Sequence, residues 1–311
     1  MLPAFALGQG KPSCPTAPAN VGVSTELWSI LSLLPYQTRF RLYGFWKKDL
    51  YEKHPEVIGL NRRSHRCCSR KRKHCPKPSI SRRLVSGRSL VKFSLNNPLI
   101  VFESILEHLQ SYENMITPLV DILKYMTPLC MDVVAFLVLD QLSSSRDKLK
   151  DDGMNEAHWF QSLASFAGHF YKKYPDVELG ALLQFIVNQL KDEHSLDLLI
   201  LKELVSHMAG VECNYRLNYL AAIEELSDVQ LRGQAGGKVL QQETISFRAV
   251  RHDDRPAACL MEAMMKRRLV FPLFVLVAQA KQSVVFHTDG GGASVKLVAE
   301  LADKCQVIQV C

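Results

Sequence analysis

The sequence lacks what a membrane-spanning chain requires. Nowhere in its 311 residues does an uninterrupted apolar run approach the ~18 that a helix needs to cross a bilayer. The longest candidate, Leu129 to Leu142, carries Asp132 and Asp140, and Val270 to Ala280 is short and contains Pro272. Met1 to Gly8 is apolar but has no positively charged start, which argues against a secretory leader. Glycine-built catalytic signatures are missing too. There is no G-x-x-x-x-G-K-[ST] phosphate loop, no G-x-G-x-x-G fingerprint and no G-x-S-x-G elbow. Strand-like alternation is scarce, and only Ser283-Val284-Val285-Phe286 reads as extended. Apolar residues make up 47% and charged residues 22%, values that exclude wholesale disorder.

Acidic residues are absent from one segment. Residues 61–92 hold 12 Lys or Arg and no Asp or Glu, whereas the rest of the chain has 26 cations against 31 acids, a net −5. The net charge of +7 therefore comes from one basic block in a mildly acidic chain. Within the block, Arg70, Lys71, Arg72 and Lys73 run without interruption, and Arg82 and Arg83 follow. Such density suits recognition by a nuclear import receptor or neutralisation of RNA phosphates. The block has no aromatic interleaving for base stacking, so RNA binding through it would tolerate any sequence.

Nine cysteines form an odd, irregularly spaced set, which suits a reducing intracellular compartment. His65, Cys67, Cys68, His74 and Cys75 lack the paired C-x₂₋₄-C spacing of a zinc site. Asp289-Gly290-Gly291-Gly292 follows the extended stretch and precedes a helix, the order of a phosphate cradle, but Asp289 would repel the anion. It reads as a turn. His252, Asp253 and Asp254 are adjacent and cannot all face one point; His158 and His169 border an aromatic stripe. None of these gives a catalytic constellation, a metal site or a cofactor site, so the expectation is a non-enzyme.

Helical patterning fills most of the chain. Residues 1–23, rich in Pro, Gly, Ala and Ser, read as a disordered tail. Residues 24–60 hold two helices. The first runs Glu26 to Leu34, capped by Ser24 or Thr25, with Leu27, Ile30, Leu31 and Leu34 on one face. The second runs from Tyr36 to about Tyr51 with Phe40, Tyr43 and Trp46 on its face. Residues 61–96 form the basic loop, and 97–311 a helical scaffold domain. Three of its segments open alike, Asn97-Pro98, Thr117-Pro118 and Thr127-Pro128, each a capping residue before a proline at the first helical position. They predict helices over Pro98 to Gln110, Pro118 to Met126 and Pro128 to Leu142, the last apolar nearly all round and so buried on several sides. Trp159, Phe160, Leu163, Phe166, Ala167, Phe170, Tyr171 and Tyr174 make a wide stripe at helical period. Further helices are expected over Leu179 to Leu190, over Leu196 to Ala209 with Ser195 as cap and Gly210 as stop, and near 217–226, 256–269, 271–282 and 293–307. Short connections between many helices suggest an all-α, elongated, α-solenoid-like scaffold, with a compact all-α domain as the alternative.

Several blocks resemble the N-terminal region of the THO complex subunit 2 family. They are Leu27 to Tyr36 with Arg39, Phe40, Leu42 and Tyr43; Asn97-Pro98 through Leu123-Lys124-Tyr125; Trp159 to Phe166 with Tyr174-Pro175; Leu182 to Phe185; Leu198 to Glu203; Met208 to Gly210; and Leu231 to Gln241. The resemblance covers about 24–60 and 94–311. It implies a long α-helical, non-enzymatic scaffold in a nuclear assembly that couples transcription and processing to messenger RNA export. It also implies other THO subunits as partners, a recruited DEAD-box RNA helicase, and messenger RNA as part of the complex. The family's chains are far longer, so this sequence corresponds to an N-terminal fragment or short form. Residues 61–92 depart from the family pattern. Two functions follow: a scaffold subunit working through apolar helix faces, or an RNA-binding module working through 61–92.

Overall fold

The computed structural model describes residues 21–50, 94–95, 98–153, 155–209, 254–286 and 295–310. Among these the chain is all-α. There are eleven α-helices, no strand, and one isolated antiparallel bridge, Leu149 to Glu156. The chain divides into two compact units. Unit 1 holds residues up to Lys148 together with Ala157–Phe166; unit 2 holds Leu149–Glu156 and Ala167 onward.

Unit 1 contains α1 (Val21–Leu31), α2 (Tyr36–Phe45), α3 (Pro98–Leu109), α4 (Ile116–Leu123), α5 (Pro128–Leu142) and the opening of α6 (His158–Lys173). Helix α5 is the hub, packed by α1, α2 and α3. Its sequence explains this position. Thr127, in extended conformation, accepts the Cys130 N–H through its side chain, and Pro128 follows at the first helical position. Beyond the cap, Leu129, Val133, Val134, Phe136, Leu137, Val138 and Leu142 are all buried, and Asp132 is buried among them. Each such side chain contributes about 1.5–3 kcal/mol relative to leaving it in water. Phe136 meets Phe40 and Tyr43 of α2 edge-on, at centroid distances of 5.6 and 5.7 Å.

Several boundaries differ from those the sequence predicts. Helix α1 starts at Val21, so neither Ser24 nor Thr25 is its cap. Ser24 is buried against Thr127, their hydroxyls 3.1 Å apart, and Thr25 donates back to the Val21 carbonyl at 3.0 Å. Helix α2 widens into a π-turn, Trp46–Leu50. Helix α4 begins at Ile116, led in by a 3₁₀ turn, Glu113–Met115. Pro118 thus sits inside the first turn rather than at its start. It is tolerated there because the first four N–H groups of a helix have no partner within the helix. Thr117 is not a cap.

Unit 2 contains the rest of α6, then α7 (Gly180–Lys191), α8 (Leu198–Ala209), α9 (Asp254–Lys266), α10 (Val270–Phe286) and α11 (Val295–Val310). Helix α8 packs on α7, α9 and α11, and α10 packs on α7 and α11. Helix α6 closes on α8 at Gly168. A Cβ there would lie 2.8 Å from the Glu203 carbonyl oxygen and 2.5 Å from the His207 ring. Ser195 opens a 3₁₀ turn, Ser195–Asp197, instead of capping α8. Ser283 to Phe286 is helical rather than extended, forming the last turn of α10. Its β-branched valines continue an apolar helix already in progress, and Ser283 satisfies its hydroxyl on the Ala280 carbonyl at 3.0 Å. The strand–glycine–helix order at 283–292 is therefore lost. The helix expected near 217–226, the Gly210 stop and Gly290 to Gly292 lie outside the described residues.

Candidate interaction surface

Most of the side chains singled out by chemistry lie outside the described residues. Arg70, Lys71, Arg72, Lys73, Arg82 and Arg83 lie outside the described residues, as do the His65 to Cys75 set, His252 and Asp253. Asp254 opens α9. His158 is exposed, 3.8 Å from Glu113. Among the described residues no three His, Cys, Asp or Glu are grouped to hold a metal ion, and no helix is long and apolar enough to cross a membrane.

Within unit 2 the fold brings together two histidines that lie far apart in sequence. The rings of His169 on α6 and His207 on α8 sit 4.0 Å apart, and His207 Nε2 lies 3.3 Å from Glu203 one turn earlier. Burial alone would raise the Glu203 carboxyl; the hydrogen bond from His207 and its charge outweigh that and hold it below the ordinary range. The cluster ties two helices together. Burial pushes the Cys130 and Cys305 thiols up, away from the thiolate form.

What the described surface does offer is apolar area. In unit 1, Ile30, Leu33 and Leu34 stand exposed around the end of α1, Leu33 at 84%. Of the α1 face expected to be apolar and inward, Leu31 alone is fully buried. In unit 2, Met261 and Met265 on α9 and Val270, Phe271 and Phe274 on α10 are all exposed, Phe271 at 77%. Their placement follows from local geometry. Leu260 on α9 and Leu273 and Val277 on α10 take the buried sides, and the exposed residues occupy the remaining positions of the same turns. Contiguous exposed apolar groups mark interaction sites more often than scattered ones do. Sequence reasoning placed helices near 256–269 and 271–282 and weighed 270–280 as a membrane segment, but it did not separate the buried from the exposed apolar side chains of these helices. Spacing shows which of these side chains share a face, and packing decides which face is buried. Met261 and Met265 are four apart, and Phe271 and Phe274 three apart, on helices whose buried face is already supplied.

Comparison with known proteins gives this surface its context. The Thoc2 family model, described as a transcription- and export-related complex subunit, matches residues 90–164. That match spans α3, α4, α5 and the start of α6. The human protein named THO complex subunit 2 is 38% identical over 295 residues, 94% of this chain. The chain is similar to the THO complex subunit 2 family. The Arabidopsis thaliana member is 37% identical over 304 residues, 96% of this chain, and the Saccharomyces cerevisiae member 24% over 193 residues, 62% of it. These relatives are much longer. The chain spans 18% of the human THO complex subunit 2, 16% of the Arabidopsis protein and 12% of the yeast protein.

Proposed function

We propose that this chain works as a non-enzymatic scaffold segment of the THO assembly in the nucleus, holding other THO subunits while messenger RNA is processed and exported. The observation that supports this best is the 38% identity to human THO complex subunit 2 across 94% of the chain. The exposed apolar groups on α1, α9 and α10 fit the reading, because a scaffold needs apolar faces left over for partners. A DEAD-box RNA helicase and messenger RNA belong to the same proposal as members of the complex, reached through the other subunits. Co-expression with the remaining THO subunits, followed by size-exclusion chromatography, tests it. Co-elution in one peak supports the scaffold; separate elution of the chain overturns it.

The basic block supports a second reading. A +12 segment without a single acid would attract RNA backbone or an import receptor. Arg70, Lys71, Arg72, Lys73, Arg82 and Arg83 are its carriers. Affinity for a labelled single-stranded RNA should then fall steeply with salt and vanish when 61–92 is removed. Salt-independent or absent binding rejects it.

A further inference from the structure

Helices α9 and α10 are joined by a turn whose geometry is closely determined. Leu269 N–H donates to the Met264 carbonyl at 2.9 Å and Arg268 N–H to the Met265 carbonyl at 3.0 Å, the two bonds of a Schellman cap. Arg268 occupies the left-handed position of that cap at φ 54°. Leu269 is buried and anchors the turn. The adjoining positions face water. Met261 and Met265 precede the turn, and Val270, Phe271 and Phe274 follow it, all exposed.

Charge gives this face a preference. Residues 260–275 contain Lys266, Arg267 and Arg268 against a single acid, Glu262. Arg267 is committed, donating to Glu178 at 2.7 Å. Lys266 and Arg268 are exposed, and neither forms an ion pair with another described residue. Exposed apolar groups on either side, in sequence, of two cations that pair with no described residue complement an apolar stripe edged with acids. Methionines suit such a face because an unbranched thioether repacks around a partner's side chains.

We propose that Met261, Met265, Val270, Phe271 and Phe274 dock an amphipathic helix of another protein whose apolar stripe is flanked by Asp or Glu, with Lys266 and Arg268 facing those acids. The inference rests on the scaffold reading and makes the partner another subunit of the same assembly. In such docking the incoming helix supplies anchors three and four residues apart, and they would meet Met261 and Met265, four apart on α9, and Phe271 and Phe274, three apart on α10. Single-stranded RNA is the weaker fit. Phe271 and Phe274 offer two rings for stacking, but two cations would release few counterions and so hold a phosphate backbone weakly.

The test uses the full 311-residue chain co-expressed with the other THO subunits. Two double variants are compared with the parent, Met265→Glu with Phe271→Asp, and Lys266→Glu with Arg268→Glu. In parallel, a photo-crosslinking amino acid replaces Phe274 in the otherwise unchanged chain. The expected result is retention by the parent, with a loss of roughly tenfold or more in affinity for the apolar variant, the scale of interface anchors. The charge-reversed variant should bind more weakly and with a flatter salt dependence. The crosslink should land on an acid-flanked amphipathic helix of a partner subunit. Equal retention by parent and both variants overturns the inference while leaving the scaffold reading standing. A crosslink to this chain itself, to a second copy or to added single-stranded RNA also overturns it. Failure of the parent to retain any subunit removes the scaffold reading and the inference together.

Discussion

Arg39 and Asp132 grip each other at two points inside unit 1, Nε–H to Oδ2 at 2.9 Å and Nη2–H to Oδ1 at 3.1 Å, across 93 residues of sequence. Both side chains are almost fully buried. Arg39 also donates to the Leu34 carbonyl at 2.9 Å and lies over the Trp28 ring at 5.4 Å. The Tyr43 hydroxyl donates to the same carboxylate at 2.9 Å. One guanidinium thus ties α1, α2 and α5 together, donating three hydrogen bonds while the Asp132 carboxylate accepts three.

Removing one member should be costly. Arg39→Met leaves Asp132 as a buried, uncompensated charge, and such truncations cost about 3–5 kcal/mol. Asp132→Leu strands Arg39 in the same way. The double change, which removes both charges, should recover most of the loss. Urea unfolding of the three variants against the parent checks this, and a double variant as unstable as either single one would contradict it.

Tyr43 predicts a pH dependence. Burial first, and then the Asp132 charge and hydrogen bond, push its hydroxyl far above the ordinary range. The folded state therefore keeps that proton where the unfolded chain releases it. Stability from this group is complete below the unfolded tyrosine value of about 10 and falls as pH rises beyond it. Tyr43→Phe should lose about 1 kcal/mol at neutral pH, the worth of one hydrogen bond. Its alkaline decline should be shallower than the parent's. Urea midpoints from pH 7 to about 11 decide the point; parallel declines would count against it.

Two glycines carry predictions of unequal size. Gly168→Ala places a methyl against the Glu203 backbone, which cannot rotate away, so about 1–3 kcal/mol should be lost. At Gly180 the obstacle is the Arg267 side chain, 1.8 Å from a Cβ. Gly180→Ala should displace Arg267 and break its bond to Glu178, whose carboxylate also accepts the Gly180 N–H at 3.2 Å. A partly exposed pair of this kind is worth about 0–1 kcal/mol, so the smaller loss belongs here. Thermal denaturation of both variants ranks them, and a reversed order would refute the assignment.

Helices α7 and α9 end on non-glycine residues in the left-handed region, Glu193 at φ 62° and Arg268 at φ 54°. His194 N–H donates to the Gln189 carbonyl at 3.0 Å, and Leu269 N–H to that of Met264 at 2.9 Å. Left-handed backbone costs an L-residue about 1–2 kcal/mol. Glu193→Gly and Arg268→Gly should therefore each stabilise the chain by up to about 1 kcal/mol, after the entropy that glycine loses on folding. A fall in urea midpoint for either would refute the strain.

These ends also show why sequence reading succeeded in some places and failed in others. Helix α5 was legible from end to end, because Thr127 and Pro128 mark its start and its apolar residues on every side its burial. The α6 stripe was legible for the same reason, with Phe160, Phe166 and Phe170 buried at helical spacing. The end of α9 was misread as about residue 269 because no glycine or proline marks it; a hydrogen-bonded cap on an arginine leaves no local signal. The start of α1 was misread because Ser24 spends its hydroxyl on Thr127, 103 residues away. The Arg39–Asp132 pair and the Met261 to Phe274 face were invisible for the same physical reason. Both depend on what tertiary packing buries, and spacing reports only which side chains share a face.

The scaffold reading is tested most directly by affinity purification of the tagged chain from nuclear extract, with and without residues 61–92, read by mass spectrometry. Both forms should recover the other THO subunits, so that the helical surface rather than the basic block makes the contact. Recovery of none by either form, or recovery that disappears with the block, would contradict it.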